Sequence, residues 1–144
     1  MIDEFLYEME ALRSLRGCPG IVKLVAVIVD DQMEVVKGAL LELAGKGALV
    51  DIIYDFKGNL PWARRERWAI QIIEALNDIH SDGFIHGDFT LSNIVIDDSD
   101  NVKIIDMNRR GCPIGWEPPE LSCLINRNRR ISMHIGQKTS FNSE

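Results

Sequence analysis

The stretch that decides the fold is residues 85–93, Ile-His-Gly-Asp-Phe-Thr-Leu-Ser-Asn. It places Asp88 five residues before Asn93, and a second carboxylate, Asp106, follows eighteen residues after the first. This order suits phosphoryl transfer, because one Asp can accept the proton of an attacking hydroxyl while the Asn and the other Asp offer hard oxygen ligands to Mg²⁺ on nucleotide phosphates. The stretch therefore predicts a phosphoryl-transfer site.

Two short apolar runs, 94–96 and 102–105, separate the metal-binding candidates. The residues between them, 97–101, are Asp-Asp-Ser-Asp-Asn, a composition typical of a turn. The pattern predicts a strand hairpin that returns the chain to the edge from which it left. Asn93 and Asp106 are therefore predicted to lie at the same end of the hairpin.

The motif His86-Gly87-Asp88, with Asn93 after it, resembles the catalytic loop of the eukaryotic protein kinases. Asp106-Met107-Asn108 stands where that family has Asp-Phe-Gly. The resemblance implies a partial α+β protein kinase-like fold, comprising the C-helix, part of the small-lobe sheet, the hinge and the first half of the helical lobe. Without the resemblance, the same residues would read as a hairpin with solvated acidic ends.

The resemblance also implies a division of the chain. A single partial kinase-like domain is expected over 1–144, with a small-lobe remnant at 1–43 and a large-lobe portion at 44–144. A length of 144 residues is sufficient for one domain with its own core.

Residues 3–16 are predicted to form an amphipathic helix, because Phe5, Met9 and Leu12 recur at three- and four-residue steps. By itself, Glu8 on the flank of this stripe reads as a solvated helix residue. The resemblance makes the segment the kinase C-helix, in which that Glu pairs with a strand Lys that holds the nucleotide phosphates.

Two nearly continuous apolar runs, 21–29 and 35–43, are predicted to be strands that are buried on both faces or line a cleft. The second resembles the strand leading into the kinase hinge, with Leu41 as the gatekeeper and the backbone of Glu42 to Ala44 bonding an adenine edge. An ordinary strand ending in a Gly-rich turn is the alternative.

Two helices are predicted next, one over 48–56 and one that begins after Pro61 and runs to about His80. By resemblance, Asp51 would contact the ribose, and Val95 would form the floor under the adenine. The predicted buried stripe of the second helix is Trp62, Ala69, Ile72, Ile73, Leu76 and Ile79.

The composition of the chain limits which partners it is expected to bind and in which cellular compartment it is expected to lie. A net charge of −6 argues against a nucleic-acid partner, and the arginines at 64–67 read as the solvated side of a helix. The longest apolar run, 21–29, is too short to cross a membrane, and no signal peptide is seen. Three cysteines without ligand spacing favour reduced thiols, and a cytoplasmic or nuclear location is expected.

The segment after Asp106 departs from a phosphorylation-controlled kinase. None of the 13 residues between Asp106 and Glu120 is Ser, Thr or Tyr, and Gly87 occupies the position of the family's phosphate-sensing Arg. The run 116–120 is similar to the Ala-Pro-Glu close of the activation segment, and a short helix is predicted over 120–125.

Other departures lead to the expectation that the chain is a fragment of a kinase. No Gly-rich phosphate loop or strand Lys is found, and Ser140 stands where the family has a structural Asp. Thr90 replaces the Lys that serine/threonine kinases usually carry for the transferred phosphate.

The resemblance implies phosphoryl transfer from ATP, with Mg²⁺, to a serine or threonine hydroxyl of a protein substrate. Asp88 would be the base, and Asn93 and Asp106 the metal ligands. Two alternatives stay open: an inactive pseudokinase or scaffold fragment, and a small-molecule phosphotransferase, since such enzymes also use a His-Gly-Asp loop.

Overall fold

The computed structural model describes residues 2–107, which combine helices with two small antiparallel sheets. This confirms the predicted partial α+β fold. The predictions for 116–120, 120–125 and Ser140 lie outside the described residues. The helices are α1 (Ile2–Ser14), α2 (Leu49–Asp55) and α3 (Trp62–Ser81), with short 3₁₀ turns at Leu15–Gly17 and Leu91–Asn93; the strands are β1 (Leu24–Val29), β2 (Val36–Leu41), β3 (Gly47–Ala48), β4 (Ile94–Ile96) and β5 (Val102–Ile104).

Helix α1 buries the stripe that its sequence predicts. Leu12 and Leu15 are almost fully buried, and Met9 packs against the same core. The α-helix ends at Ser14 and the 3₁₀ turn at Gly17, after which Cys18 adopts an extended conformation. The predicted helix over 3–16 is confirmed, with its last turn tightened to 3₁₀ geometry.

Strands β1 and β2 pair antiparallel, with Leu24 opposite Leu41 and Val29 opposite Val36. Among the described residues they pair only with each other. The first alternative, burial on both faces, was wrong, because Val25 is 58% exposed and Leu40 is 52% exposed, whereas the second, that the strands line a cleft, stays a prediction. An apolar run reports the chemistry of its side chains, but it does not ensure that another element covers them.

Strands β3, β4 and β5 form the second sheet, which carries the centre of the core. The predicted hairpin is confirmed, since Ile94 pairs with Ile104 and Ile96 with Val102. All four of these side chains are buried. Ile104 also donates its N–H to the carbonyl of Gly20 at 2.8 Å, so the hairpin is tied to the segment that precedes β1.

Helix α3 has the predicted bounds but turns a somewhat different face to the core. Ile79 is buried as predicted, whereas Trp62 is 71% exposed and Ile73 is 66% exposed. Close approach of the Gly20 backbone to Ala75 fixes the face of α3 that meets the core, because a Cβ atom on Gly20 would lie 2.6 Å from the Cβ of Ala75. The residues that α3 buries or packs against the core are Trp68, Ile72, Ala75, Leu76 and Ile79.

Asp100, in the turn between β4 and β5, is the centre of a cluster of cations. It accepts hydrogen bonds from Arg64, Arg67 and Lys46, with Arg64 Nε at 2.9 Å and Lys46 Nζ at 3.0 Å. Its carbonyl accepts the indole N–H of Trp68 at 3.0 Å. Arg64 and Arg67 are therefore not merely the solvated side of α3, as their sequence suggested; they fasten the hairpin turn to it.

The first prediction concerns this cluster. The Arg64 hydrogen bond, helped by Lys46, lowers the pKa of Asp100 to about 2. A carboxyl whose pKa is lowered by folding stabilises the fold at pH values above its pKa in the unfolded chain. This contribution is therefore lost as the pH falls from about 4 to about 2. We expect Asp100→Asn to lower the free energy of unfolding at neutral pH by about 1–2 kcal/mol in urea titrations.

Asn is the matched substitution at this site, because Asp100 has a left-handed φ of 68° that Asn tolerates. Asp31→Asn, at an exposed position between β1 and β2, serves as the control and should leave the urea midpoint unchanged. Equal stability of Asp100→Asn and wild type would contradict the structural role of the cluster.

Candidate active site

The hydroxyl of Tyr7 joins helix α1 to the chain just before the catalytic-loop motif. The Tyr7 hydroxyl donates to the carbonyl of Ile85 at 2.9 Å and accepts its N–H at 2.8 Å. The Tyr7 ring meets Phe84 edge-on, with the ring centroids 5.6 Å apart. Because Ile85 directly precedes His86, α1 and the loop are held in a fixed relation.

His86 is 2% exposed and connects the loop to the end of the hairpin. Its Nε2 lies 2.8 Å from the carbonyl of Ile105, and its Nδ1 accepts the backbone N–H of Asp88 at 3.3 Å. An acceptor on one side and a donor on the other fit a neutral ring with its proton on Nε2. Burial lowers the pKa of His86, against the opposing effects of the Ile105 hydrogen bond and the charges of Asp106 and Asp88.

The amide of Asn93 holds Asp88. Asn93 Nδ2 donates to the backbone carbonyl of Asp88 at 2.8 Å and to its Oδ2 at 3.1 Å. The other carboxylate oxygen, Asp88 Oδ1, is buried and has no hydrogen-bond partner in the described part of the chain. One oxygen is therefore fixed in place, and the other is an acceptor without a donor.

Asp106 lies at the end of the hairpin beside Asn93. The Ile94–Ile104 pair closes the ladder, and the N–H of Ile105 donates to the carbonyl of Asn93 at 3.0 Å. Asp106 itself is exposed and has a φ of 58°, in the left-handed region that few non-glycine residues occupy. The hairpin thus brings Asn93 and Asp106 to the same end, as the sequence predicted.

Glu8, the residue that the resemblance pairs with a strand Lys, lies on helix α1. The side chain is half-buried, and burial, followed by the negative charge of Asp106, raises the pKa of Glu8. Glu8 therefore lies within electrostatic range of Asp106. Within residues 2–107 no cation pairs with Glu8, so the strand Lys that the resemblance implies is not supplied there.

The segment after β2 is held by the side chain of Glu42. Its carboxylate forms an ion pair with Lys103 Nζ at 3.2 Å and accepts the N–H of Lys23 at 2.9 Å. The Glu42 N–H donates to the Lys23 carbonyl, and the Ala44 carbonyl accepts from Gly47. In the described chain, the carbonyl of Glu42 and the N–H of Ala44 are left without partners.

Val95 faces this segment. Ile94 and Ile96 point into the core, so the alternation of β4 turns the half-buried Val95 to the opposite face. Its cross-strand partner is Lys103, whose side chain shares that face and reaches Glu42. Val95 and the segment after β2 therefore border the same space.

The two remaining predicted nucleotide contacts, Leu41 and Asp51, are held by fewer interactions in the structure. Leu41 ends β2 opposite Leu24 and is 37% exposed. Asp51 is exposed in the first turn of α2, and within residues 2–107 its carboxylate makes no hydrogen bond or ion pair. The structure places both residues without bringing either to a specific partner.

The donor set fits a magnesium ion that also binds phosphate. Asn93 uses its Nδ2 on Asp88, which leaves its Oδ1 as a possible ligand, and Asp106 offers an exposed carboxylate. Across the described residues, no group of three or more His, Cys, Asp or Glu side chains converges. Mg²⁺ is commonly held by one or two protein oxygens together with phosphates and water, so a site with few protein ligands suits it.

Sequence reasoning assigned no role to Tyr7 and gave His86 only a place in the motif. A buried or half-buried Tyr hydroxyl usually finds a hydrogen-bond partner, and this was the available signal at position 7. The partner, Ile85, is 78 residues away in sequence, so no local pattern identifies it.

Comparison with known proteins gives a consistent picture. The family model for the protein kinase domain matches residues 1–108. The chain is 30% identical to the tyrosine-protein kinase receptor svh-2 of Caenorhabditis elegans in an alignment of 137 residues. This alignment covers 84% of this chain and 12% of that protein. It is 29% identical over 113 residues to CBL-interacting serine/threonine-protein kinase 7 of Arabidopsis thaliana, which is 78% of this chain and 25% of that protein.

A third relative, the hormonally up-regulated neu tumor-associated kinase of Mus musculus, is 32% identical over 82 residues, or 56% of this chain and 11% of that protein. The chain thus spans a quarter or less of the length of these relatives. Their names include both tyrosine and serine/threonine kinases.

Among residues 2–107, no helix is both long and apolar enough to cross a bilayer.

A second prediction tests the Tyr7 connection. We expect Tyr7→Phe to speed hydrogen exchange at the Ile85 amide about five- to tenfold, because the N–H loses its acceptor while the ring contact is kept. Exchange is measured by mass spectrometry of peptides covering 82–90. Tyr54→Phe, at an 80% exposed position, is the control. Unchanged protection in Tyr7→Phe would show that the hydroxyl does not hold the loop.

A third prediction concerns pH. Because folding lowers the pKa of His86, the unfolded chain binds a proton more readily, and this group destabilises the fold as the pH falls below about 6.5. Wild type should therefore lose more stability than His86→Gln between about pH 7.5 and about pH 5.5 in urea titrations. His80→Gln, at an exposed position in the last turn of α3, should behave like wild type. Parallel pH profiles for wild type and His86→Gln would contradict the prediction.

Proposed function

This chain belongs to the protein kinase domain family, and from that premise we propose that it binds ATP with Mg²⁺ and transfers the γ-phosphoryl group to a serine or threonine hydroxyl of a protein substrate. The observation that carries the proposal is the environment of Asp88. Asn93 fixes one carboxylate oxygen, and the other is a buried acceptor without a donor in the described residues.

Asp88 is proposed as the base that takes the proton of the acceptor hydroxyl. A buried oxygen that lacks a hydrogen bond is rare in proteins and calls for a partner, which a substrate hydroxyl would supply. Because this oxygen is enclosed, the hydroxyl must displace the groups that cover it. The neutral ring of His86 accepts the Asp88 N–H and so orients the backbone that carries the base.

The adenine is proposed to lie between Val95 and the segment after β2. The carbonyl of Glu42 can accept from the exocyclic amine, and the N–H of Ala44 can donate to a ring nitrogen, since the described residues use neither group. Val95 would pack beneath the ring. Leu41 would border the back of the site as the gatekeeper, and Asp51 would contact the ribose.

The phosphates are proposed to lie at the end of the hairpin. Asn93 Oδ1 and the Asp106 carboxylate would hold Mg²⁺, which when bound neutralises charge on the phosphates. Glu8 would orient a phosphate-binding Lys, and that cation must come from outside the described residues. On this proposal, 1–43 would belong to the small lobe and 44–144 to the large lobe.

A second candidate function is that of an inactive scaffold. It is favoured by Glu8, whose pKa is raised by burial and by the negative charge of Asp106, and which has no cation beside it within residues 2–107. Thr90, at the place of a phosphate-binding Lys, would further weaken stabilisation of the transferred phosphate. In such a protein the surfaces would bind partners, and no phosphate would be transferred.

A fourth prediction separates these functions. The full chain is incubated with Mg²⁺, a generic protein acceptor and ATP labelled at the γ-phosphorus. We expect Asp88→Asn to reduce label transfer at least about 100-fold, because the base is removed while the Asn93 contacts can persist. Asp31→Asn is the control and should transfer normally.

Binding of ATP is measured in parallel by calorimetry, with and without Mg²⁺. Retained binding in Asp88→Asn, together with loss of transfer, supports the assignment of a base. Equal transfer in wild type and Asp88→Asn would contradict it. Binding without any transfer in wild type would favour the scaffold.

A further inference from the structure

An apolar cavity of about 230 Å³ lies between α2 and α3. Leu49, Leu60 and Trp68 are buried in its wall, and Ile53 and Ile72 complete an apolar lining. None of these side chains belongs to the proposed nucleotide site. The space is open to solvent on the side of Ile53 and Ala69, and its volume exceeds the about 150 Å³ that holds benzene in an enclosed apolar cavity, so it has room for a single aromatic ring.

Arg65 brings a positive charge to this apolar cavity. Its Nε donates to the carbonyl of Leu60 at 2.9 Å, and its guanidinium lies 5.8 Å from the ring centroid of Trp62. Both contacts restrict the side chain. Within residues 2–107 no carboxylate pairs with it, whereas its neighbours Arg64 and Arg67 both bind Asp100.

The terminal N–H groups of Arg65 are therefore donors that the described residues do not use. Guanidinium groups bind carboxylates with two parallel hydrogen bonds, and a guanidinium that is already held in place loses less entropy on binding. An apolar space beside a fixed and unneutralised cation is complementary to a ligand with an apolar body and an anionic head.

We propose that this cavity binds a small aromatic carboxylate. The ring fills the space between α2 and α3 against Trp68 and Ile72, and the carboxylate bonds the terminal N–H groups of Arg65. The site is separate from Asp88 and from the proposed adenine contacts. Its existence therefore does not depend on whether the chain transfers phosphate.

The test uses 4-ethylbenzoate as the probe and 4-ethylbenzamide as its neutral counterpart. The full chain is labelled at Ile and Leu methyl groups and titrated with each compound by NMR. We expect saturable shifts centred on Ile53, Leu60 and Ile72. The carboxylate should bind about tenfold more tightly than the amide, the difference expected for a hydrogen-bonded ion pair.

Two variants locate the binding. Arg65→Gln should reduce benzoate affinity to that of the amide, whereas Arg16→Gln, at an exposed position distant in sequence, should leave the preference unchanged. Ala69→Phe, which fills the cavity from an exposed position on α3, should weaken both compounds at least about tenfold.

Comparison of the two compounds on wild type needs no variant, so the proposal stays testable if Ala69→Phe does not fold. Equal affinities for benzoate and amide, or shifts that do not saturate, would overturn the proposal. Retention of the carboxylate preference in Arg65→Gln would overturn the role of Arg65 as its ligand.

Discussion

Antiparallel pairing of β4 with β5 is the constraint on which the candidate site depends. The buried side chains of Ile94 and Ile104 fix the register, because a slip by one residue would turn them outward. With the register fixed, Asn93 and Asp106 must end beside each other. The hydrophobic effect that forms the core thus also sets the arrangement of polar groups at its edge.

Three polar contacts transmit this arrangement to the rest of the molecule. His86 connects the loop to the carbonyl of Ile105, Tyr7 connects α1 to Ile85, and Asp100 connects the turn to α3. Each joins residues that are far apart in sequence. Displacement of α1 would therefore be felt at the loop, because Tyr7 binds the backbone of Ile85, and the next residue, His86, accepts the N–H of Asp88.

How far the sequence predicts this structure depends on the range of the interactions. Periodicity and turn chemistry are local, so α1, α3 and the hairpin were predicted close to their observed bounds. The exposure of Val25 was mispredicted, since burial requires a neighbour that the strand itself does not specify. Arg64 was misread for a similar reason: its partner, Asp100, lies 36 residues away.

The ribbon formed by β1 and β2 has a consequence for behaviour in solution. Apart from one connection at Glu42, the outer backbone edges of the ribbon and most of its apolar side chains face no other described strand. Open strand edges of this kind can pair with strands of other molecules. The acidic net charge of −6 opposes such encounters by mutual repulsion. Salt screens that repulsion, so association through this ribbon is expected to increase with ionic strength.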